Sequence, residues 1–145
     1  MCIRDSFYTI DKTTTITSSE LNAADMLARD MKISTDNSKP QILIYHTHSQ
    51  EDFVDTVEGD PETTIIGVGN YLTKLLTEQY GFQVIHDTTV YDVIDGELDR
   101  SKAYSMALPS ITQILNTYPS IEVVIDLHRD GVDENTKLDV YKRQM

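Results

Sequence analysis

The stretch QILIYHTHSQE, residues 41–51, sets an apolar run directly against two histidines and a glutamate. Ile42, Leu43, Ile44 and Tyr45 form a short continuous run of β-formers, which predicts a buried strand. Polarity begins abruptly at His46. A strand that ends in imidazoles and a carboxylate puts ligand-type groups at the rim of a sheet, where α/β proteins keep their sites. The stretch reads as half of a site, and the rest of the chain must supply the other half.

Working outward, the pattern alternates. Thr17-Ser18-Ser19-Glu20 has capping-box spacing, and Leu21, Ala24, Leu27, Ala28 and Met31 recur at helical intervals, predicting a first helix over about 18–32. ISTDNSKP reads as a linker. Beyond the strand and a polar loop, Ile65, Val68, Leu72, Leu75 and Leu76 mark a second helix that Gly81 stops. FQVIH, 82–86, is a second strand, followed by a loop rich in Asp, Thr and Gly. Tyr104, Ala107, Leu108, Ile111 and Leu115 carry a further helix, which Pro109 is expected to kink or divide. IEVVIDL, 121–127, is a third strand. Strands alternating with helices predict a layered α/β domain, with a mainly parallel sheet and helices on both faces.

The second half of the site follows that third strand. Parallel strands bring their carboxyl ends to one rim, so His128 can meet His46 and His48 if the strands lie in the order 2-1-3. Two neutral imidazoles and one carboxylate suit a catalytic Zn²⁺, which takes three protein ligands and leaves a position open. His48 and Glu51, at i and i+3, with His128 make that set. His46 can replace His48, because spacing does not decide which ring points inward. Asp126, two positions before His128 on the same strand face, is a candidate acceptor for a ligating imidazole. Arg129 is a candidate for an oxyanion or a substrate carboxylate, against a plain salt bridge to Asp126 or Asp130. His86 reads as a surface histidine on an edge strand. Gly67 and Gly69 lie inside a helical period, so packing explains them better than a phosphate cradle does. Glu58, Asp60 and Glu62 read as a solvated loop, with Glu62 a minor competitor for the metal.

Composition narrows the class. The chain has 145 residues, 39% hydrophobic and 25% charged, with a formal charge of −12, which suits one soluble domain and repels phosphate backbones. No nucleic acid is expected as partner. No apolar run approaches the ~20 residues of a membrane span, although a leader or anchor upstream stays open. The two ends stand apart. MCIRDS and DVYKRQ can be encoded by one DNA string read one base out of frame, and that string resembles a transposase adapter used in sequencing libraries. Residues 1–6 and 139–145 are therefore read as scars on a metagenomic fragment and set aside. The only cysteine, Cys2, lies in a scar, which excludes disulfides and Cys-based zinc sites.

KPQILIYHTHSQEDF, GVGNYLTKLLTEQYGFQVIHD and IEVVIDLHRDG, in this order and spacing, resemble the catalytic domain of the stage II sporulation protein P family. The resemblance covers most of Lys39 to Val132. It implies an amidase or zinc-carboxypeptidase-like fold, incomplete here at its C-terminal end. Residues 7–39 would be an N-terminal helical segment and linker, and 40–138 a partial catalytic domain. It further implies a zinc-dependent N-acetylmuramoyl-L-alanine amidase with an associated endopeptidase activity, acting on peptidoglycan at the septum during engulfment. Such proteins are membrane-anchored and work with a lytic transglycosylase, stage II sporulation protein D. The zinc-ligand positions map onto His48, Glu51 and His128.

Zinc in such a set polarises the scissile amide and acidifies a water, while a general base handles the proton. The family's catalytic glutamate is expected downstream of this segment, so the fragment itself is expected to be weak or inactive unless Asp130, Asp133 or Glu134 substitutes. Two rival readings stand beside the amidase. One is a carboxypeptidase-like zinc peptidase, separable by assay on muropeptides against plain peptides. The other is an inactive wall-binding relative, separable by metal content.

Overall fold

Ile42, Leu43 and Ile44 are 4%, 0% and 0% exposed, and they form the strand β1 (Ile42–Tyr45). A run apolar on both sides belongs in the middle of a parallel sheet, because both of its faces must be covered. The computed structural model, which describes residue 15 and residues 22–33 and 38–129, places it there. β1 pairs in parallel with β2 (Val84–His86) on one side and with β5 (Val123–Asp126) on the other. The order is β2-β1-β5, as the strand reading requires. Ile44 aligns with His86 and Ile125, and Tyr45 with Asp126, so the chain leaves β1 and β5 side by side.

Alternate residues of β1 face opposite ways. Leu43 joins Tyr91, Ala107 and Ile111 in a buried cluster, with Tyr45, Ile85, Ile114, Leu115 and Ile121 packed against it. Ala107 and Ile111 come from α3 (Ala103–Thr117), which covers that face. Burying a Leu or Ile side chain contributes about 1.5–3 kcal/mol, so this cluster is a principal anchor of the sheet. The Ile44 and His46 face carries α2 (Ile65–Glu78), which packs on β1 and β2. Thr64 caps α2 by accepting from the Ile66 N–H at 3.2 Å. Gly81, at φ +74°, turns the chain after it, and the Phe82 N–H reaches back to the Leu76 carbonyl at 3.1 Å.

The two glycines of α2 have packing reasons. A Cβ on Gly69 would stand 2.5 Å from His86 Nε2 and 2.9 Å from His46 Nε2, and one on Gly67 would collide with the Glu62 backbone. α2 can therefore sit close enough to the sheet for its neighbours to touch the strand-end imidazoles.

The structure corrects several sequence expectations. The first helix, α1, is Ala23–Leu27 rather than 18–32, and it starts at Asn22, whose side chain accepts from the Ala24 N–H. All of α1 is exposed, so no packing extends it. It belongs to a separate compact unit, Met1–Lys32, distinct from Ile33–Met145. The capping box at 17–20, the terminal stretches 1–6 and 139–145, and Asp130, Asp133 and Glu134 lie outside the described residues. The loop after β2 contains a small antiparallel hairpin, β3 (Val93–Ile94) and β4 (Glu97–Leu98). Its turn is Asp95-Gly96, with φ +54° and +85°, the two positive values that a tight hairpin turn needs. Pro109 does not divide α3, which runs unbroken from Ala103 to Thr117. Pro109 is exposed, so the carbonyl left without its amide partner faces water while Ala107 and Ile111 hold the helix to the sheet.

Candidate metal centre

The strand ends deliver four histidines, and the structure sorts them into two groups. His46 is fully buried. Its Nδ1–H donates to the Leu127 carbonyl at 2.6 Å, and its Nε2 lies 2.8 Å from His86 Nε2. The two rings meet edge to face with centroids 5.1 Å apart. His86 Nδ1 is 2.9 Å from the Asn70 side-chain amide, which in turn donates to Glu62 Oε1 at 2.5 Å. Both ring nitrogens of His46 are thus engaged, Nδ1 tying β1 to the residue before His128 and Nε2 tying it to the end of β2. Burial pushes the His46 imidazole below its usual range, although the Leu127 carbonyl opposes this. Burial and then the neighbouring His46 do the same to His86. His86 is therefore no surface histidine: its position beside the central strand, under Gly69, makes it an internal partner. Glu62, proposed as a minor competitor, is spent on Asn70 at the far end of this chain.

His48 makes the other group with Glu51 and His128. Their ligand atoms all lie within 4.8 Å of one another. His48 Nδ1 is 4.0 Å from Glu51 Oε1, and His128 Nδ1 is 3.9 Å from Glu51 Oε2. Tetrahedral bonds of about 2.1 Å place donors about 3.4 Å apart, so an ion fits once these atoms draw together by about 0.5 to 1.4 Å. The state of His48 is the specific sign. Its Nε2–H points at the Arg100 carbonyl, 3.4 Å away, whereas Nδ1 is buried with no hydrogen-bond partner among the described residues. A buried ring nitrogen left unbonded costs free energy unless a ligand takes its lone pair, and a backbone carbonyl on the opposite nitrogen is the usual arrangement behind a ligating histidine. Tyr104 packs edge-on to the ring at 5.3 Å, and the His128 ring lies 5.4 Å away.

The loop that carries His48 and Glu51 is fixed from below. Thr47 donates to Asp126 Oδ1 through its backbone N–H (3.0 Å) and to Oδ2 through its hydroxyl (2.9 Å). Asp126 therefore does not hold a ligating imidazole as the sequence suggested. It stands beside Tyr45 in register, so the first residues it meets past β1 are the backbone and hydroxyl of Thr47, and its carboxylate, after burial, also raises the Tyr45 hydroxyl pKa. Asp92, 1% exposed, accepts from Ser49 Oγ at 2.8 Å and from the Gln50 N–H at 3.1 Å. Glu51, 3% exposed, takes the Arg100 guanidinium on Oε1 and the Arg129 backbone N–H on Oε2. The Arg129 guanidinium sits 5.8 Å from the Phe53 ring centroid. An open groove of about 760 Å³ adjoins the loop, lined by Gln50, Asp52, Phe53 and the acidic residues Glu58, Asp60 and Glu62.

Sequence reading missed Asp92, Arg100 and Tyr104. The Asp95-Gly96 pair was the available signal. Read as a hairpin turn, it sends residues 92 and 99 back side by side, with Arg100 next in the chain, and the Asp99 N–H on the Asp92 carbonyl (2.8 Å) closes the pair.

Comparison with known proteins adds a lineage to this geometry. A family model described as Stage II sporulation protein P matches residues 5–142. A Stage II sporulation protein P of Bacillus subtilis (strain 168) is 23% identical over 117 residues, covering 74% of this chain and 29% of the relative. The chain thus spans less than a third of the length of that curated relative. No solved structure matches it.

Proposed function

Because this chain belongs to the stage II sporulation protein P family, we propose that it is the metal-bearing part of a zinc-dependent peptidoglycan hydrolase, cleaving the amide between N-acetylmuramic acid and L-alanine during sporulation. The observation that supports this reading is the His48–Glu51–His128 group, with a buried His48 Nδ1 that has no hydrogen-bond partner among the described residues aimed into it. Donor chemistry fits zinc, since two imidazoles and one carboxylate are a recurrent catalytic set. When bound, the metal would supply an electrophile for the amide carbonyl and acidify a water.

The residues have separate tasks. His48 presents Nδ1 because its other nitrogen faces the Arg100 carbonyl. Glu51 contributes the negative charge, held by two N–H donors from Arg100 and Arg129. His128 follows β5 at a position set by the His46 bond to Leu127. The adjoining groove offers a place for the glycan or stem peptide beside the ligand loop. In the whole protein we place this activity outside the cytoplasm, on a membrane anchor, beside a stage II sporulation protein D-type lytic transglycosylase. Among the described residues, no helix is long and apolar enough to cross a membrane.

The test is zinc content and muropeptide release from purified sacculi. One zinc per chain, lost in both His48→Ala and His128→Ala, with chelator-sensitive release of stem peptides by a longer relative carrying the same motifs, is the expected result. Release of amino acids from plain peptides, with muropeptides untouched, would move the reading to a carboxypeptidase-like peptidase. Undiminished zinc in both variants would remove the site.

A further inference from the structure

Arg100 touches two of the three candidate ligands by two different groups. Its guanidinium bonds Glu51 Oε1, and its backbone carbonyl faces His48 Nε2 at 3.4 Å. The Glu51 side chain is 2% exposed and that of Arg100 49%, so the guanidinium straddles the wall of the site, one edge on the carboxylate and the other in water. We propose that Arg100 is a positioning residue for the metal centre, aiming Glu51 and His48 before a metal arrives. The inference rests on the metal reading above and extends it to a residue outside the ligand set.

Three observations carry it. The first is the pairing itself: a carboxylate buried this deeply is held in one orientation by the N–H donors it meets, and these are the Arg100 guanidinium on Oε1 and the Arg129 backbone N–H on Oε2. A planar guanidinium constrains the direction of a carboxylate better than an ammonium does. The second is the His48 contact. A carbonyl at Nε2 selects the tautomer whose Nδ1 carries the lone pair, and Nδ1 is the buried atom without a partner among the described residues. The third is how residue 100 is held. The β3–β4 hairpin and the Asp99 N–H to the Asp92 carbonyl fix its approach, while Asp92 grips Ser49 and Gln50. The loop 48–51 is thereby fastened at its middle by Asp92 and at both ends by Arg100.

A rival role gives the opposite sign. If the guanidinium instead competed with a cation for Glu51, a bound metal would be repelled by it, and removing the charge would tighten metal binding.

Zinc affinity, measured by competition with a chromophoric chelator, separates the two. The variants are Arg100→Gln, Arg100→Lys and the surface control Lys102→Gln, whose ammonium pairs only with Asp99 among the described residues. Replacing groups that orient metal ligands typically weakens affinity about 10- to 100-fold. Arg100→Gln is expected in that range, Arg100→Lys between it and the parent, and Lys102→Gln at the parent value. The cobalt-substituted proteins supply a readout that loss of stability alone would not move. The visible bands of Arg100→Gln should shift, reporting an altered donor geometry, while those of Lys102→Gln stay. Arg100→Lys retains the charge and serves if Arg100→Gln does not fold. Zinc bound as tightly as in the parent, or tighter, by either Arg100 variant overturns the inference and leaves the metal site standing. A parent chain that binds no zinc overturns both.

Discussion

Thr47 and Asp126, 79 residues apart in the chain, are joined by two hydrogen bonds, one from the Thr47 N–H at 3.0 Å and one from its hydroxyl at 2.9 Å. Thr47 lies between the two histidines of the first strand end, and Asp126 is the last residue of β5, so the pair sets the distance between the two halves of the site. Thr47 is 1% exposed and has no water to fall back on. Asp126→Ala should therefore cost about 1.5–3 kcal/mol, the range for bonds to a charged group, and should lower the urea midpoint with an unchanged slope. Asp126→Asn should retain part of that stability, since its amide oxygen still accepts one bond. A midpoint unmoved in Asp126→Ala would show that the two strand ends are held by other contacts.

Stability should fall in mild acid. His46 and His86 both have pKa values lowered from 6.5, with burial as the first cause. A histidine kept neutral by the fold takes up protons more readily when unfolded, so the unfolded state binds more protons as pH drops below about 6.5. Stability is then level above neutrality and declines through the window below 6.5, down to the lowered folded values. Urea titrations from pH 8 to pH 5 should show the decline, and His86→Gln should flatten it. A profile in His86→Gln that matches the parent would mean that other groups cause the loss.

The α2 glycines should resist alanine despite its better helix propensity, worth about 0.8–1 kcal/mol. In Gly69→Ala the new methyl meets the His86 and His46 rings at 2.5 and 2.9 Å, and overpacking of this kind costs about 1–3 kcal/mol. Gly67→Ala should be worse, because the obstacle is the Glu62 backbone rather than a side chain. Thermal melts of the two variants check the order. A stabilised Gly69→Ala would mean that α2 moves away from the sheet at little cost.

Zinc should raise the melting temperature, and chelator should reverse the rise. A ligand that binds only the folded state at 100 times its dissociation constant adds about 2.7 kcal/mol, which is about 10 °C for a domain of this size. His48→Ala should abolish the zinc-dependent part and leave the metal-free melt close to that of the parent. Leu43→Ala, in the core, should do the reverse, with a stability loss of about 2–5 kcal/mol that lowers the metal-free melt and an intact zinc increment.

What the sequence determined by itself is local in origin. The apolar run 42–45, the helical periods after it and the second apolar run before His128 carry the three-stranded parallel order, because a strand apolar on both faces has few places to lie other than the middle of a sheet. The same runs end in His48 with Glu51 and in His128, so the three candidate ligands were legible, and with them the family. Only the tertiary structure decided between His46 and His48. Their side chains sit on the same alternation, and the choice turns on contacts from far away: Leu127 and His86 occupy both nitrogens of His46, while Arg100 engages one nitrogen of His48 and the other has no hydrogen-bond partner among the described residues. Asp92 and Arg100 were out of reach for the same reason. Each acts across more than forty residues through a hairpin whose strands are two residues long, too short to show a period, and hydrogen bonds between distant segments leave no spacing in the chain from which to read them.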